Sequence, residues 1–356
     1  MSHAPTRPDK RTRRGKLGLK LGLPCLLATA PMSAWAQAPV AIDRPVSAGV
    51  DRIYSDYSGE GDASSIELNP ALLQAAKGLD LVLNGYRSIS PYTRGTGIGG
   101  FFSLNLGLGF ATGFGVQAMR PGFAGVYDVD RAHNPDISKI SWALSAGNSK
   151  VAAFGVAVHG IRSNTQWLRR PDLDLGLLLR IRNYGSFGAT ARFGPVDLLG
   201  EALPPELGVT GELSLRPLGT RMLEIAGGVR GRFVSDPEGL LDGLTTLGIF
   251  PRGRLALRWQ GIELLAELEQ IRSAVLDEQT KELVRSAKAL RGSVGLGIAW
   301  DLIQLRTGVH AGISQGLDGV GFSAHLSSQS QGRVYWSRHV DAERIQLKRI
   351  KGERGL

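Results

Sequence analysis

Phe102-Ser103-Leu104-Asn105-Leu106-Gly107-Leu108-Gly109-Phe110 alternates a large apolar residue with a small or polar one at every step. An extended strand points successive side chains to opposite faces, so such a stretch presents one oily face and one small, polar face. The same two-residue rhythm returns along most of the chain. It predicts strands at 79–89, 98–110, 114–123, 138–146, 151–162, 173–183, 187–194, 207–217, 222–234, 252–259, 262–271, 292–300, 303–313 and 319–328. The links between them alternate in length. Short ones fall at 111–113, 147–150, 184–186, 218–221, 260–261 and 301–302. Longer ones fall at 90–97, 124–137, 163–172, 195–206, 235–251 and 272–291, with a shorter one at 314–318.

The two faces differ in charge. Leu173, Leu175, Leu177, Leu179 and Ile181 share one side, with Asp174, Gly176, Arg180 and Arg182 on the other. Leu223, Ile225, Val229 and Phe233 oppose Glu224, Gly228, Arg230 and Arg232; Leu255, Leu257 and Trp259 oppose Arg254, Ala256 and Arg258. Alternation of this kind, with tight turns at one end and long loops at the other, is the pattern of a barrel crossing an outer membrane. A Lys or Arg turned to lipid at mid-bilayer costs about 2–4 kcal/mol, so the charged face belongs inside. Arg180, Arg182, Arg216, Arg230, Arg232 and Arg258 are expected to line the lumen and pair there with Glu212, Glu224, Glu263 and Glu267. Trp142, Trp259, Trp300 and Trp336 are expected at strand ends, as an interfacial belt. The fold class is therefore all-β, an antiparallel transmembrane β-barrel of about 14 strands with an N-terminal plug segment. An even count puts both ends on the periplasmic side.

The net charge of +10 would suit a nucleic-acid partner if it were spread over the chain. It is not. Residues 1–36 hold seven Lys/Arg against one Asp, and residues 338–356 hold six against three acids. The body between is nearly neutral, and nucleic acid is set aside. Arg7, Lys10, Arg11, Arg13, Arg14, Lys16 and Lys20, then an apolar run from Leu17 to Ala30, then Ala34-Trp35-Ala36, form the three parts of a secretory signal peptide. Residues 1–36 are assigned to it, and Gln37 is the expected mature start. Arg13-Arg14 allows a twin-arginine signal, but Lys16 stands where an apolar residue is expected, which favours the ordinary route. Cys25, the only cysteine, lies inside the leader, so the mature chain has neither disulfides nor thiolate metal sites. No run of eighteen apolar residues follows, which leaves a closed sheet as the way through a bilayer. The domain reading is leader 1–36, plug or lead-in 37–78, barrel 79–328 and basic periplasmic tail 329–356. The expected location is the cell outer membrane of a Gram-negative bacterium.

Within 37–78, Asp62 to Ser65 would cap a short helix, Asn69-Pro70 would interrupt it, and Ala71 to Lys77 would begin another. Gly95-Thr96-Gly97-Ile98-Gly99-Gly100 lacks the helix and the Lys-Ser/Thr of a phosphate loop, and reads as a loop entering a Gly-rich strand. Asp128, Asp130, His133 and Asp136 crowd one loop, but their spacing matches no calcium site. His159, His310 and His325 fall on the inward register and suit a lumen hydrogen-bond network better than a metal set. Glu278 to Lys288 carries opposite charges at helical spacing and reads as a short solvated helix in an external loop. No hydrolytic motif is present, so no catalytic residue, metal or cofactor is assigned.

Asn69-Pro70-Ala71 after Asp62-Ala63-Ser64 resembles the lead-in of the fatty-acid-transporter class of outer-membrane barrels, which includes barrels of type IX secretion. Leu173–Arg192, with Tyr184-Gly185-Ser186-Phe187-Gly188, and Arg216-Pro217-Leu218-Gly219 resemble it too. The resemblance implies fourteen strands and an N-terminal plug in the lumen. Val340-Asp341-Ala342-Glu343-Arg344-Ile345-Gln346-Leu347 resembles the opening strand of the signal peptide peptidase A-like proteases that follow such barrels in some bacteria. Nothing here matches the Ser and Lys of that protease, so its catalysis is not carried over. Two functions follow as expectations. One is passive, porin-like transport of small hydrophobic or amphipathic solutes; the other is a membrane anchor or assembly subunit that holds a periplasmic protease or secretion partner through 333–356. The lipid bilayer and the outer-membrane assembly machinery are expected partners of either.

Overall fold

The structure is a computed structural model that describes residues 40–41, 49–76, 78–89, 96–120, 137–163, 166–167, 171–194, 206–234, 248–276, 283–300, 302–312 and 316–328. The leader, the C-terminal tail with Trp336 and Val340–Leu347, and the Asp128–Asp136 group lie outside the described residues.

Fourteen strands carry the fold: β1 Leu79–Ser88, β2 Thr96–Asn105, β3 Phe110–Arg120, β4 Ile137–Asn148, β5 Ala152–Ser163, β6 Asp172–Ile181 and β7 Gly185–Gly194. They continue with β8 Glu206–Leu215, β9 Leu223–Val234, β10 Gly248–Trp259, β11 Ile262–Leu276, β12 Leu283–Trp300, β13 Ile303–Gly312 and β14 Gly316–Ser327. Each pairs antiparallel with its neighbours in sequence, and β14 closes on β1 from Gly319↔Ser88 to Ser327↔Asp80. The sheet is a closed barrel, so no wall strand is left at a free edge along its whole length. The expected fourteen-strand architecture is what the chain adopts.

The two faces segregate as the alternation requires. On β12, Val294, Leu296, Ile298 and Trp300 point out and are half or more exposed, while Gly295, Gly297 and Ala299 point in. On β10, Leu255, Leu257 and Trp259 point out over buried Arg254, Ala256 and Arg258. Lys139, Glu212, Glu224 and Glu263 are buried to 1 % exposure or less, while leucines and isoleucines cover the exterior. In water this arrangement would be inside out; with hydrocarbon as the outer solvent each residue sits where it is stable.

Several boundaries differ from the sequence reading. The turn expected at 111–113 lies at Leu106–Gly109, inside the stretch that opened the reading. Gly107 and Gly109 both take positive φ, and the Asn105 Oδ1 accepts from the Gly107 N–H at 2.9 Å. Two such glycines make the reversal cheap there, whereas Ala111–Gly113 continue as strand. Arg182 stands in the turn after β6 at φ 51° and is exposed, so it does not point inward with Arg180. Trp142 is half exposed but in mid-strand on β4, between Phe114 and Val158, and not at an end; Trp259 and Trp300 do close their strands.

The solvated helix expected at Glu278–Lys288 is corrected over 283–288, and 278–282 lie outside the described residues. Residues 283–288 belong to β12, paired from Leu276↔Leu283 through Arg272↔Lys288. Charges spaced for a helix are overridden by a long-range ladder that the local sequence does not announce. The β10–β11 ladder ends at Arg252↔Glu269, although β10 stays on β9 as far as Gly248. The next β10 residue is Pro251, which has no N–H to give. Above that point Val40–Ala41 pair with Ser273 and Ala274 on the vacated side of β11.

Candidate functional site

Residues 49–76 lie against the inner face of the wall. Two 3-10 helices organise them, Ala63–Glu67 and Pro70–Gln74. Asp62 caps the first in a reciprocal box with Ser65, and Asn69 caps the second, with Pro70 at its first position. The sequence expectation of two short helices split at Asn69-Pro70 holds, with starts shifted by a residue.

Asn69 does more than cap. Its Nδ2 donates to the Tyr57 carbonyl at 2.8 Å and to the Leu177 carbonyl of β6 at 3.0 Å. Gly155 of β5 and Gly176 of β6 face each other in register, and a Cβ on either would strike Asn69, Pro70 or Ala71. The wall is dished there to admit the segment.

Five carboxylates on 49–76, Asp51, Asp56, Glu60, Asp62 and Glu67, stand against one base, Arg52. Four of them meet wall cations directly. Glu67 is held by Lys139 Nζ on one oxygen and accepts from the Ser141 hydroxyl on the other, both at 2.5 Å. His159 Nδ1 lies 2.8 Å from the Ser141 Oγ, and its Nε2 lies 3.2 Å from Asp174, which Arg192 grips with two nitrogens. Asp51 pairs with Arg291 at 2.7 Å, and Asp56 with Arg254 at 2.9 Å. Glu60 meets three arginines at once: Arg221 at 2.6 Å, Arg216 at 2.8 Å and Arg180 at 3.5 Å.

The wall charges are themselves linked. Arg254 bridges Glu212 at 2.8 Å and Glu224 at 2.9 Å; Arg258 joins Glu224 and Glu263; Arg306 adds to Glu263. Arg252 joins Glu267 at 2.9 Å and stacks over Tyr57, while Arg254 stacks over Tyr54. Arg230 lies over the Phe250 ring, 3.9 Å from Glu269. The side chain of Arg232 lies outside the described residues. His325 touches Asp80 and Gln304, and His310 meets Tyr86 edge to face, so the three histidines occupy separate places.

These fields set the protonation of the inner segment. Burial would raise the Glu67 carboxyl, but Lys139, His159 and Arg192 together hold it down at about 2. Burial opposes ionisation of Glu60 as well, and Arg221, Arg180 and Arg216 overcome it, leaving the group well below the usual range. Asp56 goes the other way. Burial lifts it, with Arg254 opposing and Glu224 adding to the rise.

Ser141, His159 and Asp174 form a line of close polar contacts, but not a nucleophile with its base. Glu67 is ionised and can only accept, so the one Ser141 proton is committed to it. The His159 nitrogen facing Ser141 must then donate, and cannot take that proton. All three side chains are buried, and the line serves to tie β4, β5 and β6 to the inner segment.

Lys139, Arg192, Arg252 and Arg291 extend the set read from sequence, while His159, Asp174 and Arg254 lie on the inward face that alternation assigns them. Parity alone places Lys139 on the face of Ser141 and Ala143. What sequence did not signal is the counter-charge, because the acids of 49–76 lie outside every strand pattern.

A closed antiparallel wall, ionic inside and oily outside, decides the class. The chain is an outer-membrane β-barrel. No family model matches it, and no curated protein does. It is similar to a solved FadL homologue of Pseudomonas aeruginosa, at 9 % identity over 82 % of this chain and 100 % of that one, with a TM-score of 0.48. A bacterial polysaccharide outer membrane secretin is similar at 9 % identity over 71 % and 99 %, TM-score 0.42. The toluene transporter TodX of Pseudomonas putida is similar at 12 % identity over 82 % and 98 %, TM-score 0.36. These likenesses concern the fold, which the closed register establishes by itself.

Proposed function

We propose that the barrel is a passive outer-membrane pathway for small hydrophobic or amphipathic solutes, stoppered by residues 49–76. One observation carries this reading: the inner wall is amphipathic around its circumference. Val82, Phe101, Ala111, Ala143 and Ala157, from β1 to β5, form an apolar cluster with Ile66 and Leu73, with Lys139, Ser141 and His159 beside it on the same strands. Arg180, Arg216, Arg252, Arg254, Arg258 and their carboxylates occupy the opposite arc from β6 to β11. A solute with an oily body and a polar end would find both surfaces once the segment moves aside. The segment is held by apolar packing of Ile66, Leu72 and Leu73 and by ion pairs and hydrogen bonds, the last of which can be exchanged singly without unfolding the wall.

The test is flux of a neutral aromatic such as toluene, and of a short-chain amphiphile, into vesicles holding the intact protein. Leakage above that of empty vesicles, increased when Asn69→Ala and Glu67→Gln loosen the segment, is the expected result. No flux in either form would leave the anchor reading, in which residues 333–356 capture a periplasmic protease or secretion partner. Export through the 1–36 leader and insertion by the outer-membrane assembly machinery belong to both readings.

A further inference from the structure

The wall turns its charges inward, with one exception. Among the described residues, the charged side chains exposed on the outer face of the strands are Arg87, Arg120 and Arg162, and no acid is exposed beside them. All three stand at strand ends away from the short turns. Arg87 is one residue short of the end of β1, Arg120 is the last residue of β3, and Arg162 is one short of the end of β5. An outward arginine is costly at mid-bilayer and tolerated at the interface, so the three mark headgroup depth at the long-loop rim.

The register sets them in a row. Thr96↔Arg120 are cross-strand partners, and Tyr86↔Gly97 puts Arg87 opposite Thr96. Ser138↔Arg162 are partners on β4 and β5. Successive arginines are thus two strands apart, about 10 Å in the hydrogen-bonding direction. Exposed Thr96 and Ser138 stand on the strands between. Guanidinium and hydroxyl donors alternating on one surface suit the several acceptor oxygens of phosphate groups.

Below this row, the oily face is hollowed on the same strands. Leu81, Leu83, Gly100, Phe102, Phe114 and Leu326 line an apolar groove of about 530 Å³ across β14, β1, β2 and β3. Gly100 opens it: the residue faces out, and a Cβ there would meet nothing within 4 Å. Leu83 is four residues from Arg87, about 13 Å along β1, which is acyl-chain depth in one leaflet of a hydrocarbon core about 30 Å thick.

We propose that Arg87, Arg120 and Arg162, with the groove beneath them, form a binding site for a phosphorylated lipid of the leaflet at the long-loop end. Its phosphates lie on the arginines and one acyl chain lies over Gly100. Charge selects this occupant over a second copy of the barrel, which would bring like charges to the same face. The site is on the outside of the wall and does not depend on the transport reading.

The experiment is native mass spectrometry of the full chain in detergent, with diphosphoryl lipid A as probe and phosphatidylcholine and inorganic phosphate as controls. One retained lipid A per barrel, with neither control retained, is the expected result. Arg87→Gln with Arg120→Gln should weaken retention about tenfold or more. Lys150→Gln with Arg182→Gln removes as much exposed charge from the short-turn end and should leave retention unchanged. Gly100→Leu should fill the groove and weaken retention with every arginine in place. Folding of each variant is checked by heat-dependent gel mobility; should the Arg87/Arg120 variant not fold, Arg162→Gln alone is read by the same criteria. Equal losses from the two charge-removing pairs, or no loss from the first, would overturn the site. So would retention of either control as tight as that of lipid A, or a Gly100→Leu protein that binds like the native chain. A native dimer that Gly100→Leu turns into a monomer would give the face to a second copy and overturn the lipid assignment.

Discussion

Lys139 is a cation with no exposed surface, and its stability there depends on Glu67 reaching in from another part of the chain. Lys139→Met should strand that carboxylate and cost about 3–5 kcal/mol in denaturant unfolding from micelles, while Lys139→Met with Glu67→Leu should recover most of it. Glu67 also makes the protein acid-sensitive. Its carboxyl is held at about 2 against an ordinary 4.5, so its contribution is complete above pH 4.5 and is lost as pH falls toward 2. That shift corresponds to stability on the order of 3 kcal/mol. Glu67→Gln should flatten this limb of the stability–pH curve. Asp56, raised by burial, has the opposite sign and contributes more as pH drops. On β9, Val229 points out and is half exposed, whereas Arg230 points in over Phe250. Val229→Arg should impair assembly by about 2–4 kcal/mol, and Arg230→Ala should leave folded yield nearly unchanged because Glu269 keeps Arg291. Equal yields of the two variants would contradict the register. Such inward positions were legible from alternation wherever a strand was long and regular, as at Arg254 and Arg258. Arg182 was not, because one more residue of β6 would have kept it inside, and the turn began first.

At the scale of elements, the Gly155–Gly176 dish is where wall and inner segment fit most closely. Gly155→Val should push the Pro70–Gln74 helix away. In a Cys25→Ser background, a reporter cysteine introduced by Ala71→Cys is expected to react with maleimide at least about tenfold faster than in the undisturbed wall. No change in rate would mean that the segment does not depend on that contact. The two short helices could be read from sequence because their caps, Asp62 and Asn69-Pro70, are local signals. The ladder carrying β12 up to Leu283 could not. Its partner, β11, is the only thing that makes 283–290 extended, and the charges there satisfy a helix equally well on local grounds. At 18 residues β12 runs roughly 60 Å, against the 9–11 residues that cross a bilayer, so the upper part of this hairpin stands beyond the hydrocarbon. The turn at Leu106–Gly109 was hidden for another reason. It is of even length and preserves the oily parity from Phe102 to Phe110, and so leaves no break in the pattern.

Across the whole molecule, wall and inner segment divide their charge unequally. Residues 49–76 bring five acids and one base, and the wall supplies the complementary cations. High salt at neutral pH should therefore increase vesicle flux more than it destabilises the barrel, whose own ladder is indifferent to ionic strength. Parallel measurements of leakage and unfolding would separate the two. The architecture was readable at this scale from the alternation of short and long links, a consequence of topology rather than of any one residue. What fills the interior was not, since the segment pairs with walls from β1 to β14 at sequence distances no periodicity encodes. Where β10 leaves β11 at Pro251, β11 runs on, and among the described residues Val40–Ala41 are what pairs along that flank. A flank of that kind, once uncovered, is a template for a neighbouring molecule's strand. Trimming the chain to begin after Ala41 should thus turn a dispersed barrel into one that sticks to its own kind.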